Sequence, residues 1–582
     1  MTTIRVEDSV PMTMRDGVQL RADIYRPDDR ERHPAILMRS PYSRTMTVNG
    51  SFMNLLDTMA AGYVLVVQSL RGTFDSGGEM KLGDVTMAGE ALDGYDSVEW
   101  VAAQPWCDGN VGTAGGSYLG MLQWITAREN PPHLKAMAPW ISGSGGTEPS
   151  RQHGVVNLGV ALNWVLAQGL EIAKWQQADG KDMAKAVEML TRGNVVPEEV
   201  YNYLPLKDVP HFNFQGIKEV WENRIFNTEA ENPDYVEKTR TRYEKVTVPC
   251  FHVSGWYDFY PSGTLGHFQT MQANGGSELA RRSQHILMGP WLHGGPATAG
   301  SVGDMGFGET AGVLGSGVSR YNLMFFDKYL RGVDADLPKV RYFVMGSNVW
   351  RTAERWPLPE TEWQRFYLHS RGAAHTSGGN GAISREAPGQ EPPDTFDYDP
   401  IDPVPTLGCR GGTHLLRVPA GIQEQSPNER RPDMLCYTSD ALENDIEITG
   451  PLELHLFAST SARDTDFVAK LVDVYPNGRA YNVTTDGIVR ARYRESVFEP
   501  TFVTPGEINE YIINLEAVSQ LFRKGHRLRI DVTSSSFPEY DRNMNTGNPI
   551  GEDARGFVAK QTIYHDINHA SYLDLPVILP SG

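Results

Sequence analysis

Short apolar runs alternate with amphipathic segments over the first quarter of the chain. Residues 4–27 alternate apolar and polar side chains around Arg15-Asp16-Gly17, which predicts a β-hairpin. The apolar runs at 34–39, 63–68 and 134–140 are typical of strands buried on both faces of a sheet. Between them, residues 90–102 place apolar side chains at helical spacing. This alternation predicts a parallel sheet with helices on both faces.

The pattern changes after that first set of strands. From about Gly145 to Tyr243 helical periodicity dominates, mainly in Gly159–Gln177 and Lys181–Thr191, with no clear strand runs. We interpret this region as a helical insertion that caps the sheet. Strand-like runs return at 248–255 and 285–289, and a closing helix is predicted over Tyr321–Leu330.

From Val340 onward the chain is rich in β-type runs and in Gly, Pro and Asp turns. Residues 370–405 are rich in Gly, Ser and Pro and predict a long loop. The strand-like runs predict an antiparallel sandwich or jelly roll. The clearest of them are Ile446–Phe457, Phe467–Tyr475, Tyr511–Leu515 and Leu528–Val532.

Composition places the chain among soluble globular proteins of several domains. At 582 residues it is too long for one hydrophobic core, and its 40% hydrophobic and 21% charged residues are ordinary values. The formal net charge of −19 argues against nucleic-acid and anionic-membrane partners, because such surfaces would repel the protein. The first residues lack the layout of a signal peptide and no apolar run is long enough to span a membrane, so we expect a cytoplasmic protein.

The four cysteines lie far apart in the sequence and form no CxxC pair. This spacing indicates neither a zinc site nor a disulfide framework, and it favours buried free thiols. The cysteines are Cys107, Cys250, Cys409 and Cys436.

The stretch Asn110–Gly120 carries the strongest chemical signal. A run of small and β-branched residues leads into Gly115-Gly116-Ser117, and a helical pattern follows directly. Strand, tight turn, serine and helix are the parts of a nucleophile elbow, in which the helix points its free N–H groups at the serine. The alternative is a glycine-rich connection in which Ser117 is an ordinary helix N-cap.

Two later strand ends supply the acid and the base that a serine nucleophile needs. In α/β-hydrolases the order along the chain is Ser, then Asp or Glu, then His. Asp258 follows the first strand after the insertion, and His293 follows the next one. Taken singly, Asp258 could be a turn residue and His293 a solvated side chain. His252 and His285 lie in apolar strands and are predicted to be packed structural histidines.

The sequence resembles the CocE/NonD hydrolases, a family that includes bacterial cocaine esterase and has X-Pro dipeptidyl peptidases and α-amino-acid ester hydrolases as relatives. The resemblance extends over nearly the whole chain. It rests on Arg39-Ser40-Pro41-Tyr42, Gln68-Ser69-Leu70-Arg71-Gly72, Gly115-Gly116-Ser117-Tyr118-Leu119-Gly120, Gly255-Trp256-Tyr257-Asp258, Gly289-Pro290-Trp291-Leu292-His293, 464–474 and 534–538.

The resemblance implies three parts: an α/β-hydrolase domain (1–144 and 245–350), a helical cap inserted in it (145–244) and a C-terminal jelly-roll domain (351–582). It also implies the roles of the site residues. Ser117 would be the nucleophile, His293 the base and Asp258 its orienting acid. The oxyanion hole would combine the backbone N–H of Tyr118 with the phenol of Tyr42, although Tyr42 could instead only pack against the cap.

Candidate pocket residues follow from the same positions. Phe259 and Tyr260 come directly after Asp258, in a loop that must face the site. Trp164 is a weaker candidate, because aromatic residues at helical spacing more often belong to a core. Leu415 and Leu416 would add a wall from the C-terminal domain. No metal or other cofactor is needed for this chemistry.

The leading hypothesis is a serine hydrolase that cleaves carboxylic esters, with amides as a second candidate bond, through an acyl-enzyme. The enzymatic alternative is an X-Pro dipeptidyl peptidase or a β-lactam or α-amino-acid ester acylase. An enzyme that recognises a free amine would need acidic side chains in its pocket, and the X-Pro group an extra N-terminal helical domain, which we do not expect here. A binding or scaffold protein with an inert hydrolase half is the non-enzymatic alternative. We expect the partner to be a small-molecule substrate and expect no binding to nucleic acid or membranes. A homodimer is left open.

Overall fold

The first half of the chain is built on a ten-stranded sheet. The computed structural model describes residues 3–49, 52–80, 88–143, 151–178, 180–226, 241–294, 300–312, 314–410 and 417–579. The strands of this first sheet are β1 (Ile4–Thr13), β2 (Gln19–Pro27), β3 (His33–Ser40), β4 (Val64–Ser69), β5 (Cys107–Gly116), β6 (Leu134–Trp140), β7 (Cys250–Tyr257), β8 (Gln284–Leu292), β9 (Val340–Val344) and β10 (Val349–Ala353).

The strand order across the sheet is β1-β2-β4-β3-β5-β6-β7-β8-β9-β10. Pairing is parallel from β4 to β9 and antiparallel at both edges. Parallel strands present their carboxyl ends at one edge of the sheet, so the loops after β3, β5, β7 and β8 lie on the same side. The predicted N-terminal hairpin and parallel sheet are confirmed.

Helices cover both faces of this sheet, because alternate residues of each central strand point to opposite sides. In β3, Ile36 and Met38 join one core with Phe325, whereas Ala35 and Leu37 join a second core with Val98. The helices are Arg44–Asn49, Leu55–Ala60, Ala88–Ala102, Tyr118–Ala127, Pro261–Asn274, Glu278–Arg282 and Val318–Arg331.

A helical segment lies between β6 and β7, as predicted. Its own core includes Leu162, Leu166, Leu190 and Trp221. The α-helices among its described residues are Leu158–Ala178, Ala184–Val195, Glu198–Tyr201 and Lys218–Ile225, with 3-10 turns at Leu206–Asp208 and Pro210–Phe212. The expectation of no strands here is wrong in one detail. Arg151–Gln152 and Val155–Val156 form a small hairpin, which is too short to show a periodic pattern.

The C-terminal part of the chain is rich in β-structure, as predicted. Among its described residues, twelve strands are joined in one hydrogen-bonded sheet, and these strands pair antiparallel except for one parallel contact. The strands are Thr361–His369, Ala382–Ser384, Asp394–Tyr398, Leu435–Thr438, Ile446–Thr460, Asp466–Val474, Ala480–Asn482, Gly487–Arg490, Asn509–Phe522, Arg527–Thr533, Ala559–Tyr564 and Tyr572–Ile578.

The prediction of an uninterrupted loop over 370–405 is wrong. Ala382–Ser384 and Asp394–Tyr398 are strands inside it. Asp394–Tyr398 buries alternate side chains and pairs with Ala559–Tyr564, so a distant partner makes a strand of a segment whose flanks are rich in turn residues.

The two halves share one hydrophobic core. Trp256 and Tyr257 of β7 and Phe268 of the following helix pack in the same cluster as Val483 and Leu515 of the C-terminal part. The end of β7 is therefore held by side chains from both halves. All four cysteines are buried free thiols, as predicted. Among the described residues, no helix combines the length and apolar character needed to cross a membrane.

Candidate active site

Ser117 occupies a strained turn between β5 and the helix Tyr118–Ala127. Its backbone has φ 59° and ψ −121°, a conformation that a residue with a side chain rarely adopts. Gly115 has φ 138°, and a Cβ there would lie 2.6 Å from the Cβ of Leu119. Because Gly115 has no Cβ, the side chain of Leu119 can pack against its backbone. This explains why leucine fits two positions after the serine. These are the features of a nucleophile elbow.

The usual elbow motif, G-x-S-x-G, has its second glycine two residues after the serine, whereas here that glycine is Gly120, three residues after it, for a local packing reason. A Cβ on Gly120 would lie 2.6 Å from the Cβ of Ser142, in the loop after β6. The first turn of the helix can approach that loop only with glycine at position 120.

Ser117 is not an ordinary N-cap. Its side chain makes no capping hydrogen bond to the helix. Its Oγ instead lies 2.9 Å from Nε2 of His293. On the other side of the ring, Nδ1 of His293 lies 2.9 Å from Oδ1 of Asp258. A carboxylate accepts hydrogen bonds, so this arrangement suits the tautomer in which Nδ1–H donates to Asp258 and Nε2 accepts from the serine hydroxyl.

Asp258 is fixed at the end of β7 with its side chain completely buried. Its Oδ1 also accepts a hydrogen bond from the backbone N–H of Tyr260 at 3.2 Å. The hydroxyl of Ser254 lies 3.5 Å from Oδ2. His293 follows β8, and its side chain is 15% exposed, so the ring borders an open space while its acid partner is shielded from water.

Aromatic rings enclose this serine, histidine and aspartate. The ring of Phe259 has its centroid 4.4 Å from that of His293, and Tyr260 lies at 5.8 Å. Trp164, on the long helix of the helical segment, stacks almost parallel to Tyr118 with a centroid distance of 6.4 Å. The helical segment therefore contributes a wall directly above the elbow.

A cavity of about 380 Å³ opens at Ser117. The predicted site residues Ser117, His293, Tyr42, Tyr118, Trp164, Phe259 and Tyr260 all line it, whereas Asp258 lies behind His293. The remaining lining residues are Met38, Met46, Thr47, Phe52, Gly115, Gly116, Leu119, Met121, Trp140, Ile141, Val160, Asn163 and Gly294. Leu415 and Leu416 lie outside the described residues.

The sequence interpretation missed most of the apolar lining. Val160 lies four residues before Trp164 on the same helix, so helical spacing could have placed it on the face that carries Trp164. Asn163 directly precedes Trp164. Met46 and Phe52 follow the Pro41-Tyr42 motif closely but carry no pattern of their own.

The lining is almost without charge. Among the described residues that line the cavity, none is Asp, Glu, Lys or Arg. The described residues also contain no group of three or more His, Cys, Asp or Glu side chains that could hold a metal ion. The cavity therefore suits a neutral, largely apolar molecule.

Tyr42 is held at the cavity by the loop after β3. Its backbone N–H donates to Oγ of Ser40 at 3.0 Å, and that oxygen lies 2.7 Å from the hydroxyl of Thr47. The preceding Arg39 is fixed by an ion pair of 2.7 Å to Glu90. Burial raises the pKa of Glu90 above its ordinary value despite the neighbouring charge of Arg39.

Comparison with known proteins agrees with this geometry. Residues 16–295 match the model of the X-Pro dipeptidyl-peptidase (S15 family), and residues 331–574 match the X-Pro dipeptidyl-peptidase C-terminal non-catalytic domain. Cocaine esterase of Rhodococcus sp. (strain MB1 Bresler) is 37% identical over 98% of both chains. The chain belongs to the CocE/NonD hydrolase family. Membership confirms the prediction of a serine hydrolase that cleaves carboxylic esters.

Solved structures show the same fold over the full length of this CocE/NonD hydrolase. An aminopeptidase from a marine sediment archaeon, Thaumarchaeota archaeon, superimposes with a TM-score of 0.80 at 24% identity, covering 99% of this chain and 97% of the other. An α-amino acid ester hydrolase gives a TM-score of 0.73 at 22% identity with the same coverage. The shared fold is an α/β-hydrolase-like domain followed by a β-rich domain.

Proposed function

We propose that Ser117 is the nucleophile, His293 the general base and Asp258 its orienting acid in the hydrolysis of carboxylic esters. One observation carries this proposal: Ser117 Oγ, the His293 ring and Asp258 Oδ1 form a continuous chain with two contacts of 2.9 Å. The serine hydroxyl is directed at His293, and its oxygen accepts no capping hydrogen bond from the helix, so the hydroxyl is aligned for proton removal.

The reaction follows from these positions. Ser117 Oγ attacks the ester carbonyl while Nε2 of His293 takes its proton, and Asp258 stabilises the imidazolium that forms. His293 then donates this proton to the leaving alcohol, which leaves an acyl-enzyme on Ser117. Water, deprotonated by the same histidine, attacks the acyl group and releases the acid.

We propose that the tetrahedral oxyanion is stabilised by the backbone N–H of Tyr118 and the phenol of Tyr42. Tyr118 is the first residue of the helix after the serine, and the positive end of the helix dipole there favours negative charge. Tyr42 lines the same cavity from the end of β3.

The substrate is proposed to be a neutral, apolar small-molecule ester. Phe259, Tyr260 and Trp164 are its proposed contacts, and Leu415 and Leu416 remain candidates on their sequence position alone. The described lining has no carboxylate to pair with a free amine, which favours an esterase over an aminopeptidase, dipeptidyl peptidase or α-amino-acid ester acylase. The relationship to a cocaine esterase agrees with the preference for an ester over a peptide substrate.

We further propose the three-part division into 1–144 with 245–350, 145–244, and 351–582. It is supported by a separate, mainly antiparallel sheet that starts at Thr361, although β10 continues to Ala353, three residues beyond the proposed boundary at 350. That second sheet is proposed to be a jelly roll. The cytoplasmic location, the homodimer and the lack of a nucleic-acid partner stay predictions.

Ser117→Ala tests the nucleophile. Hydrolysis of a nitrophenyl ester is expected to lose about 10⁶-fold in kcat, because the covalent route is removed. A fluorophosphonate probe should label the parent enzyme and fail to label the variant. Ser319→Ala, on the closing helix, is the matched control and should keep both rate and labelling. A Ser117→Ala enzyme with parental kcat would refute the proposal.

Substrate class is tested by comparing a neutral aryl ester with an Ala-Pro anilide. Burying an unpaired ammonium costs several kcal/mol, so kcat/KM should favour the aryl ester by about 10²-fold or more. Equal kcat/KM values for the two substrates would instead identify a peptidase.

A further inference from the structure

Two contacts to the C-terminal domain flank Asp258 in the sequence. One residue before it, the hydroxyl of Tyr257 donates to the backbone oxygen of Val483 at 2.9 Å. Four residues after it, the backbone N–H of Ser262 donates to Oε2 of Glu516 at 3.3 Å, and the hydroxyl of Ser262 donates to the same oxygen. The segment that carries Asp258 is thus tied to the second domain on both sides.

The backbone at Glu516 is deformed. Glu516 has φ 66°, in the left-handed region that favours glycine. In the pairing of Asn509–Phe522 with Ile446–Thr460, Leu515 and Glu516 stand opposite the single residue Leu452. Such a bulge redirects a side chain, and a non-glycine residue held in this conformation is strained. The strained residue is therefore the one whose side chain contacts Ser262.

Glu516 also serves the helix that begins after Asp258. In the helix Pro261–Asn274 the N-cap residue, Tyr260, makes no side-chain capping hydrogen bond. The Glu516 carboxylate takes that role from the other domain, since it accepts from Ser262 in the first turn and its negative charge matches the positive end of the helix dipole.

A buried arginine fixes the carboxylate in turn. Arg410 Nη1 lies 3.1 Å from Oε1 of Glu516, and the Arg410 guanidinium also donates to the hydroxyl of Thr485 at 3.1 Å. Both partners of the ion pair are at most 12% exposed. The oxygen that meets Ser262 therefore has a defined position.

The short loop between Asp258 and this helix holds the two rings that contact His293. Phe259 and Tyr260 are the only two residues between Asp258 and Pro261, where the helix begins. A shift of the helix start would therefore move both rings and the Asp258 carboxylate together. Displacement of a catalytic group by about 1 Å can cost on the order of 10²-fold in rate.

We propose that Glu516 is a positioning residue for catalysis: through Ser262 it fixes the loop that aligns Asp258 with His293. The C-terminal domain, whose family model is called non-catalytic, thereby supports the reaction. This inference rests on the proposed role of Asp258 as the orienting acid.

The test is a double-mutant cycle between Glu516 and Asp258, read as kcat and KM on a nitrophenyl ester. Glu516→Ala should lower kcat by about tenfold to a hundredfold and leave KM within about twofold. In the Asp258→Asn background the Glu516→Ala change should lower kcat by less than about twofold, because the carboxylate that Glu516 helps to align with His293 is already absent.

Two further variants keep the test valid if Glu516→Ala, which leaves Arg410 buried without its partner, fails to fold. Ser262→Ala removes only the hydroxyl contact and should show the same non-additivity with a smaller loss, about threefold to tenfold. Glu447→Gln is the matched control, a buried carboxylate on the neighbouring strand that pairs with Arg351, and it should leave kcat unchanged.

Parental kcat in folded Glu516→Ala or Ser262→Ala overturns the inference. So does a loss in either variant that is equally large in the Asp258→Asn background, because the residue would then act independently of the acid. If Asp258→Asn alone keeps parental kcat, the assignment of the acid fails, and the inference fails with it.

Discussion

The two ends of strands β7 and β8 carry similar residue types in different surroundings. At the amino ends lie His252 and His285, and just past the carboxyl ends lie Asp258 and His293. The strands are parallel neighbours, so each pair shares one edge of the sheet. The comparison shows how the surroundings of the proposed catalytic histidine differ from those of the other two.

At the amino ends the histidines meet neutral partners. Nε2 of His252 donates to Oε1 of Gln284 at 2.8 Å, and Nδ1 of His285 donates to the backbone oxygen of Pro338 at 2.9 Å. Burial lowers the pKa of His252 to about 3 and that of His285 to about 4, because no carboxylate compensates the lost hydration. These rings stay neutral and act as packing elements, as their positions in apolar runs predicted.

At the carboxyl ends the histidine lies between a buried carboxylate and a serine hydroxyl, beside the cavity. Asp258 favours the imidazolium that would form during proton transfer, and the cavity admits the molecule that supplies the reacting carbonyl. An acid partner and an open face therefore separate the proposed catalytic histidine, just past the carboxyl end of β8, from the structural histidine at its amino end.

The largest predicted difference between the two ends is in kcat. His293→Ala should lower kcat on a nitrophenyl ester by about 10⁶-fold, since Ser117 loses its base. His285→Gln changes the other end of the same strand, and its kcat should stay within about twofold of the parent. Comparable losses in both variants would show that strand integrity, and not proton transfer, limits the rate.

Strand-end positions explain why much of the site could be predicted. Ser117, Asp258 and His293 each follow an apolar run, and parallel strands bring such positions together whatever the intervening sequence. Trp164 was ambiguous, because helical periodicity identifies a buried face but not whether a cavity lies beneath it. The structure places it beside Tyr118.

Glu516 could not be predicted, because its role depends on contacts across the fold. It meets Ser262 over 254 positions in sequence, and its orientation comes from a bulge that only strand pairing defines. The same limit hid the strand Asp394–Tyr398, whose partner Ala559–Tyr564 is equally remote. Local patterns specify elements, whereas contacts between domains depend on the assembled fold.

An intermediate effect is predicted for a tyrosine at the carboxyl edge of the same sheet. Tyr42→Phe should lower kcat by about 10²–10³-fold, because one oxyanion donor is lost, while KM changes little. Tyr63→Phe is the matched control at the amino end of β4, where the Tyr63 hydroxyl donates to Asp327 at 2.6 Å. The Tyr63→Phe variant should have a lower free energy of unfolding than the parent and an unchanged kcat. An unchanged kcat in Tyr42→Phe would assign Tyr42 to packing alone.

The smallest effect concerns a third structural histidine, His267, which stacks on Trp124 with a centroid distance of 4.2 Å. Its Nε2–H donates to the backbone oxygen of Gly143 at 2.6 Å, and Nδ1 faces the hydroxyl of Tyr243 at 3.0 Å. Burial lowers the pKa of His267 to about 4, so the folded state binds fewer protons than the unfolded state between about pH 4 and 6.5.

Stability contributed by neutral His267 is therefore present above pH 6.5 and is lost as the pH falls. His267→Gln retains a donor and an acceptor but cannot be protonated. Relative to this variant, the parent should lose about 2 kcal/mol in free energy of unfolding between pH 7.5 and pH 5. Urea denaturation of both proteins at the two pH values measures the difference. An equal change in both proteins would mean that His267 titrates normally, and that burial of this ring does not hold it neutral.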